Sequence, residues 1–499
     1  MEAVARLSTV SVIMNPKPAS PSQLPDGRLF WTLRGHVTPA DKATNDYLLL
    51  PFDVPPYVSR LTVSYAYTQA VSAAASPGSG NVIDIGCFDP RGAEFPHGTG
   101  FRGWSGSARK EFSLSLTDAT PGYLSGPILP GCWHIVLGLY RLLSQGTDYQ
   151  VDIVGERDDT AATEPRPIAL SAPVLDQTTR WYRGDLHSHT CHSDAQGSLA
   201  DLAAAARTRG LEFVAVTDHN TVSHWSHLAE TGGDDLLLIP GEEITTYYGH
   251  ANVWGASAWQ GFRCRTPAQM AQVIAAAHEA GGLVSLNHPK DTGAPWQFGL
   301  ELPFDCIEVW QEPWPCLNYQ SLALWDSLLR TGRQIVAVGG SDRHQPPFNG
   351  TLSRYEVGNP TTWVYAREWS TAGILAGIRA GHVYITGDTT GPRVSFTCEP
   401  SAQSPAIMGD TVTVPAGTRL TFSCRIQGAS GRRLRIITGG QARSVTIESA
   451  DWSYEWSGIA DEETYVRVEV ANSTEEEVAR DPSSLWLDAL TNPIYLRIQ

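Results

Sequence analysis

The chain has 499 residues, 42% hydrophobic and 18% charged, the make-up of a soluble globular protein too long for one core. Its 52 acidic side chains outnumber 36 lysines and arginines, giving a formal net charge of −16 at pH 7. That excess argues against nucleic acid or an anionic membrane as a partner held by bulk electrostatics, and it leaves any anionic substrate to be gripped locally.

Eight cysteines are scattered with no C-x-x-C among them. Met1-Glu2-Ala3-Val4-Ala5-Arg6 lacks a basic start followed by a long apolar run, and no apolar stretch approaches the ~20 residues needed to cross a bilayer. The expectation is reduced thiols, a cytoplasmic location and no membrane contact.

Residues 1–165 read as all-β. Leu61–Tyr67, Asn81–Ile85, Glu111–Leu116 and Trp133–Tyr140 are short and rich in β-branched or aromatic residues, with turns such as Pro77-Gly78-Ser79-Gly80 and Pro130-Gly131 between them. The pattern predicts a β-sandwich, with Trp104, Tyr123 and Trp133 either in its core or lining a ligand surface. A linker follows over 166–179. Residues 180–390 then alternate apolar strand-like runs (Phe213–Thr217, Leu236–Ile239, Gly282–Leu286, Cys306–Val309, Ile335–Val338) with helices. Ser198 caps Leu199–Arg209 before Gly210. Thr266-Pro267-Ala268-Gln269 is a capping-box pattern opening a helix to about Ala280, and a third helix spans about Leu322–Thr331. Buried runs alternating with helices predict parallel strands, in a barrel or an open sheet. Residues 391–499 return to β character and predict a second, C-terminal β-sandwich.

Chemistry-bearing residues gather at the ends of the middle runs. The opening stretch Gly184–Asp194 holds His187, His189, His192 and Asp194, and its H-x-H spacing puts two imidazoles on one side of an extended chain. Asp218-His219 follows the first of these runs. Gly241-Glu242-Glu243 and His250 follow the second, Asn287-His288 the third, and Asp342-Arg343-His344 the last. In parallel α/β architecture such strand ends share one face. His187, His189, Asp194, His219, Glu243, His250, His288, Asp342 and His344 are therefore expected to converge. That set, without cysteine, suits two or three divalent ions such as Mn, Fe or Zn, which lower the pKa of a shared water to give a hydroxide nucleophile.

The order H-x-H…S-D, T-D-H, G-x-E, N-H-P and S-D-x-H resembles the polymerase-and-histidinol-phosphatase (PHP) superfamily over roughly residues 180–390. The preceding sandwich and Thr491-Asn492-Pro493-Ile494-Tyr495-Leu496 resemble its carbaryl-hydrolase-like branch. The resemblance implies a distorted (β/α)7 barrel with His187, His189, Glu243 and Asp342 on one ion. It implies Glu243, His250 and His288 on a second, and Asp194, His219 and His344 on a third. Some members carry a histidine where this chain has Ala195. The G-x-E spacing favours Glu243 over Glu242 as the bridging carboxylate.

Catalytic support is expected from Glu243, Asp342, Arg343, His192 and His224, with His227 as a further candidate. Lys290 and Arg343 are candidates to grip an oxyanion of a small-molecule substrate, with Arg343 at the rim of the cleft. Tyr247, Trp296, Trp310 and Trp314 either form an apolar wall or pack in the core. The leading function is a metal-dependent hydrolase acting on phosphoric esters. The alternatives are hydrolysis of a bulky carbamate, ester or amide, and a non-enzymatic binding protein with a vestigial metal domain.

Overall fold

The computed structural model describes residues 17–71, 80–158, 173–292, 294–345, 356–400 and 405–499. The segment Met1–Arg6, the turn residues Pro77-Gly78-Ser79 and the first half of the 166–179 linker lie outside them. The fold is mixed α/β, strand-rich with few helices, in two compact units.

The first unit holds two antiparallel sheets. One runs in the order Ser22–Gln23, Leu29–Val37, Thr147–Arg157, Val58–Tyr67, Glu111–Ser115; the other in the order Tyr47–Val54, Gly131–Arg141, Val82–Phe88, Phe101–Gly106. Trp31, Val63 and Val151 of one sheet and Phe52, Ile85 and Ile135 of the other join a single apolar core. Alternate residues along Leu29–Val37 turn inward, as a sheet with one solvated face requires. Trp104, Tyr123 and Trp133 are all buried, so the core reading of these aromatics holds.

The second unit is organised around one long sheet. Its strands run in the order Val336–Gly340, Cys306–Gln311, Leu283–Leu286, Gly249–Trp254, Leu237–Thr246, Phe213–Val216, Arg180–Asp185, Thr361–Ala366, Val383–Thr386, Leu487–Thr491, Thr464–Ala471, Arg433–Thr438 and Gln441–Thr446. The strands at Arg180, Phe213 and Leu237 are mutually parallel, as are those at Leu283, Cys306 and Val336. Gly249–Trp254 joins the two sets by antiparallel pairing on both sides.

The strand order refines two expectations. No closed barrel forms among the described residues; an isolated parallel bridge between Ser188 and Arg343 links the loops beyond the strands at Arg180 and Val336. The C-terminal strands form two sheets around one apolar core: six of them belong to the long sheet, and a further four-stranded sheet shares that core, with Phe396 and Phe422 packing in one cluster with Leu434 and Val468. Alternation within a strand shows that one face is buried, but it does not say which neighbour covers the edge.

The helices start where capping chemistry directs. Ser198 and Thr266 accept from the N3 backbone N–H of Leu199–Thr208 and Pro267–Glu279. The third helix, Asn318–Arg330, begins four residues earlier than the apolar pattern suggests, after Leu317 at φ 59°. None of the described helices is long and apolar enough to cross a membrane.

A buried charge network joins this helix to the C-terminal strands. Glu469 pairs with Arg435 and Arg467; Arg467 also reaches Asp326 on the helix at 2.9 Å, and Arg435 reaches Glu475 at 2.7 Å. Burial by itself would push the Glu469 carboxyl up, but Arg435 and Arg467 outweigh it and hold it below the ordinary glutamate range. A depressed folded pKa gives stability that is present above the unfolded value of about 4.3 and is lost as pH falls through the folded value. Glu469→Gln removes the carboxylate shared by two buried guanidiniums, leaving Arg467 with Asp326 and Arg435 with Glu475, and is expected to cost about 1.5–3 kcal/mol at pH 7. Urea unfolding followed by tryptophan fluorescence checks this: the midpoint should drop at pH 7, and the gap from the parent should narrow in acid. An unchanged midpoint at pH 7 would show that the network contributes nothing.

Candidate metal centre

The opening stretch is fixed by two buried carboxylates. Asp185 accepts from the backbone N–H of His187 and Ser341, both at 3.0 Å, and from Gly358 at 2.7 Å. Asp218 accepts from Thr190 N at 2.8 Å, Thr190 Oγ1 at 2.7 Å and Ser193 Oγ at 2.6 Å. Between His187 and His189, Ser188 turns the other way and donates to Ala215 O at 2.8 Å, which leaves both imidazoles on the opposite side. Backbone bonds lace the neighbouring loops together: Asp342 N donates to His187 O at 2.9 Å, and His189 N to Arg343 O at 3.0 Å.

Glu243 lies inside a strand, not on a loop after it. Leu237–Thr246 runs past Glu242-Glu243 to a hairpin turn and returns as Gly249–Trp254, pairing Thr245 with His250. All nine expected side chains converge around this carboxylate and Asp342. Glu243 Oε1 lies 3.4 Å from His187 Nε2 and 3.3 Å from both His250 Nδ1 and His288 Nε2. Its Oε2 lies 2.7 Å from His219 Nδ1 and 3.7 Å from His189 Nε2. Asp342 Oδ1 is 2.9 Å from His189 Nε2 and 3.3 Å from His187 Nε2. Asp194 Oδ1 sits 3.5 Å from His219 Nε2 and 3.4 Å from His344 Nε2. Three trios bring one ligand atom each within 4.8 Å of the others: His187, His189 and Glu243; Glu243, His250 and His288; His189, His219 and His344.

The atoms at the centre are unsatisfied in a way that fits cations. His187 Nε2, both ring nitrogens of His189 and Asp342 Oδ1 are buried without a hydrogen bond, although Asp342 Oδ1 lies 3.3 Å from His187 Nε2 and 2.9 Å from His189 Nε2. A buried polar atom without a partner costs about 1–3 kcal/mol. Several turned toward one space are what a ligand shell presents. The tautomers agree: His187 Nδ1 is engaged by Glu308 Oε1 at 2.9 Å and His344 Nδ1 by Asp342 O at 2.9 Å, which leaves each Nε2 as the lone-pair atom. Burial, reinforced by the His344 and His219 rings, pushes the His189 imidazole down to about 4, so it is neutral near pH 7. Burial opposes charge on Glu243, but His187, His250 and His219 outweigh it and hold the carboxyl well below its usual range.

The backbone is strained where ligands are presented. His288 has φ 30° and Asp342 φ 50°, left-handed conformations that non-glycine residues adopt at a cost. Gly340 supplies the clearance beside them, since a Cβ there would stand 2.3 Å from His187 Cβ and 3.0 Å from Glu308 Oε1.

Other expected residues are placed differently. His224 does not reach the cluster: its ring is fully buried, its Nε2 meets Val216 O at 3.1 Å and Gly241 O at 3.2 Å, and burial pushes it down to about 3. That is a packing role. His192 holds Ser223 Oγ at 2.8 Å on the same side, near the His224 and His227 rings. Arg343 is not at a rim; it is 5% exposed, with Nε 3.7 Å from Glu356, because the turn that sends Asp342 and His344 to the cluster sends it inward. Lys290 is buried too, its Nζ donating to Gln311 O at 3.1 Å and Asn318 Oδ1 at 3.2 Å. Trp310 is buried against Trp314 at 4.7 Å between ring centroids, so it packs rather than faces a cleft. Tyr247 occupies the hairpin turn between Glu243 and His250.

Two supporting residues escaped the sequence reading: Glu308 holds His187, and Gln311 Nε2 donates to Asp342 Oδ2 at 2.8 Å. Asn287, named in the N-H-P motif, supports a ligand rather than being one, its Nδ2 donating to Glu243 Oε1 at 2.9 Å. The signal for Glu308 was present: a carboxylate in the middle of an apolar run is buried only with a partner.

Glu242 faces away from the cluster and accepts from Gln260 N at 3.0 Å. Glu243→Gln is therefore expected to lower bound metal and hydrolytic rate by on the order of 10²-fold or more, since even outer partners of ligands are worth ~10–100-fold. Glu242→Gln should retain its metal. Elemental analysis of the two dialysed variants decides, and the reverse order would reassign the bridging carboxylate.

A two-domain protein from Bacteroides vulgatus containing a predicted PHP-like metal-dependent phosphoesterase aligns at 16% identity, over 62% of this chain and 95% of its own, with a TM-score of 0.34. An amidohydrolase from Chromobacterium violaceum, with bound sulfate and no metal, aligns at 15% identity over 32% of this chain and 87% of its own, with a TM-score of 0.25. No curated protein matches the chain. Residues 185–286 match the PHP domain family, a span that carries His187, His189, Asp194, His219, Glu243 and His250 and stops before His288, Asp342 and His344.

Proposed function

We propose that the protein is a metal-dependent hydrolase of a small-molecule substrate, with phosphoric esters as the substrate class. The observation that carries the reading is the set of buried, unbonded ligand atoms on His187, His189 and Asp342. His187, His189, Glu243 and Asp342 would hold one divalent ion. Glu243, His250 and His288 would hold a second, and Asp194, His219 and His344 a third. Manganese, iron and zinc suit such nitrogen and oxygen donors. Bound there, the ions would supply Lewis-acid charge and a water that deprotonates near neutral pH.

The chain's own groups set direction and charge. Inner ligands are buried, whereas the Asp194 and His344 side chains are 49% and 28% exposed, so substrate enters from their side. Three divalent ions would outweigh the four carboxylates Asp194, Glu243, Asp342 and Glu308 even with a hydroxide among them, and the positive excess suits an anionic substrate such as a phosphate monoester. The second reading, a neutral carbamate, ester or amide, draws on a different observation. Lys290, one of the two expected oxyanion grips, is buried with its Nζ donating to Gln311 O and Asn318 Oδ1, so it is not offered to a phosphate.

Chelation is expected to abolish hydrolysis, and manganese, iron or zinc to restore it. His344→Ala should lower phosphate monoester turnover at least tenfold while an aryl carbamate, if cleaved, is affected less. Steady-state rates on both substrates make the measurement. Full activity in protein shown to be metal-free overturns the hydrolase mechanism; loaded protein that turns over neither class points to a binding protein.

A further inference from the structure

We infer that Glu308 is a positioning residue that couples two of the proposed metal positions; the inference rests on the metal-centre reading above. Its carboxylate is 2% exposed, within the strand Cys306–Gln311, every residue of which is buried. Oε1 takes His187 Nδ1 at 2.9 Å, and Oε2 accepts from the backbone N–H of His288 at 2.9 Å. His187 belongs to the trio with His189 and Glu243; His288 belongs to the trio with Glu243 and His250. Asn287 and Gln311 each hold one ligand, Glu243 and Asp342 respectively, whereas Glu308 holds two separate ligands at once.

Both of its partners are donors when the site is ready for metal. His288 N–H has no other form. His187 must carry its proton on Nδ1 if Nε2, unbonded and turned into the cluster, is to donate a lone pair. Only a group with two acceptor oxygens serves both, and a carboxylate is that group. A carboxamide of the same shape has one oxygen and one NH2, so it must fail one partner. With NH2 toward His187, Nδ1 becomes the acceptor, the proton moves to Nε2 and the ligand is lost. With NH2 toward His288, two donors face each other and the strained turn at φ 30° loses its anchor. Gly340 fits the same account: its missing side chain leaves room for the His187–Glu308 pair.

The experiment compares parent and Glu308→Gln for Zn2+ affinity by chelator competition. In parallel, 15N-resolved NMR of the zinc-loaded proteins follows the His187 Nδ1–H signal. The expected result is a 10–100-fold weaker affinity and loss or displacement of the downfield Nδ1–H resonance, with a circular dichroism spectrum like the parent's. Equal affinity in parent and variant overturns the assignment of Glu308 and leaves the metal centre standing. A parent that binds no Zn2+ overturns the metal-centre reading itself. If the glutamine variant does not fold, the parent alone still decides: a His187 proton on Nε2 in the zinc-loaded protein rules the coupling out, and one on Nδ1 supports it.

Discussion

Two carboxylates, the buried Glu243 and the partly buried Asp342, lie among six imidazoles, and the architecture of the second unit follows from keeping their lone pairs aimed at one space. Left alone, such a cluster would satisfy itself with internal hydrogen bonds and protons. Part of it does so, as where His288 Nε2 meets Glu243 Oε1 at 3.3 Å. His187 Nε2, the His189 ring and Asp342 Oδ1 stay unsatisfied, although Asp342 Oδ1 lies 2.9 Å from His189 Nε2. The charge on the carboxylates and the neutrality of His189 then leave a divalent cation as the partner that satisfies both.

Holding that arrangement requires rigidity across long stretches of sequence. Asp185 ties the opening strand to Ser341 and Gly358, and Asp218 ties the opening loop to the end of the next strand. Positive φ at His288 and Asp342 persists because the surrounding bonds over-determine it. The C-terminal strands extend the same sheet that carries the site, and the Asp326–Arg467–Glu469–Arg435 network pins them to the helix Asn318–Arg330. That helix in turn presents Asn318, whose carboxamide anchors Lys290 and the backbone of Gln311. A side chain that reads as a substrate grip in the sequence thus becomes part of the frame.

By itself the sequence determined the alternation of strand and helix over 180–390, the capping-box helix starts, and the nine candidate ligands. These are local: hydrophobic period, cap residues and strand-end motifs are written within a few residues of each other. The tertiary structure decided what depends on partners far along the chain. It ran the strand through Glu243 into a hairpin, left the sheet open among the described residues, and joined the C-terminal strands to it. It turned Arg343 and Lys290 inward, and brought Glu308 to His187 across 121 positions. The physical reason is that a charged side chain's role is set by which oppositely disposed group it meets when buried, and that meeting is made by sheet register and loop closure rather than by neighbours in sequence.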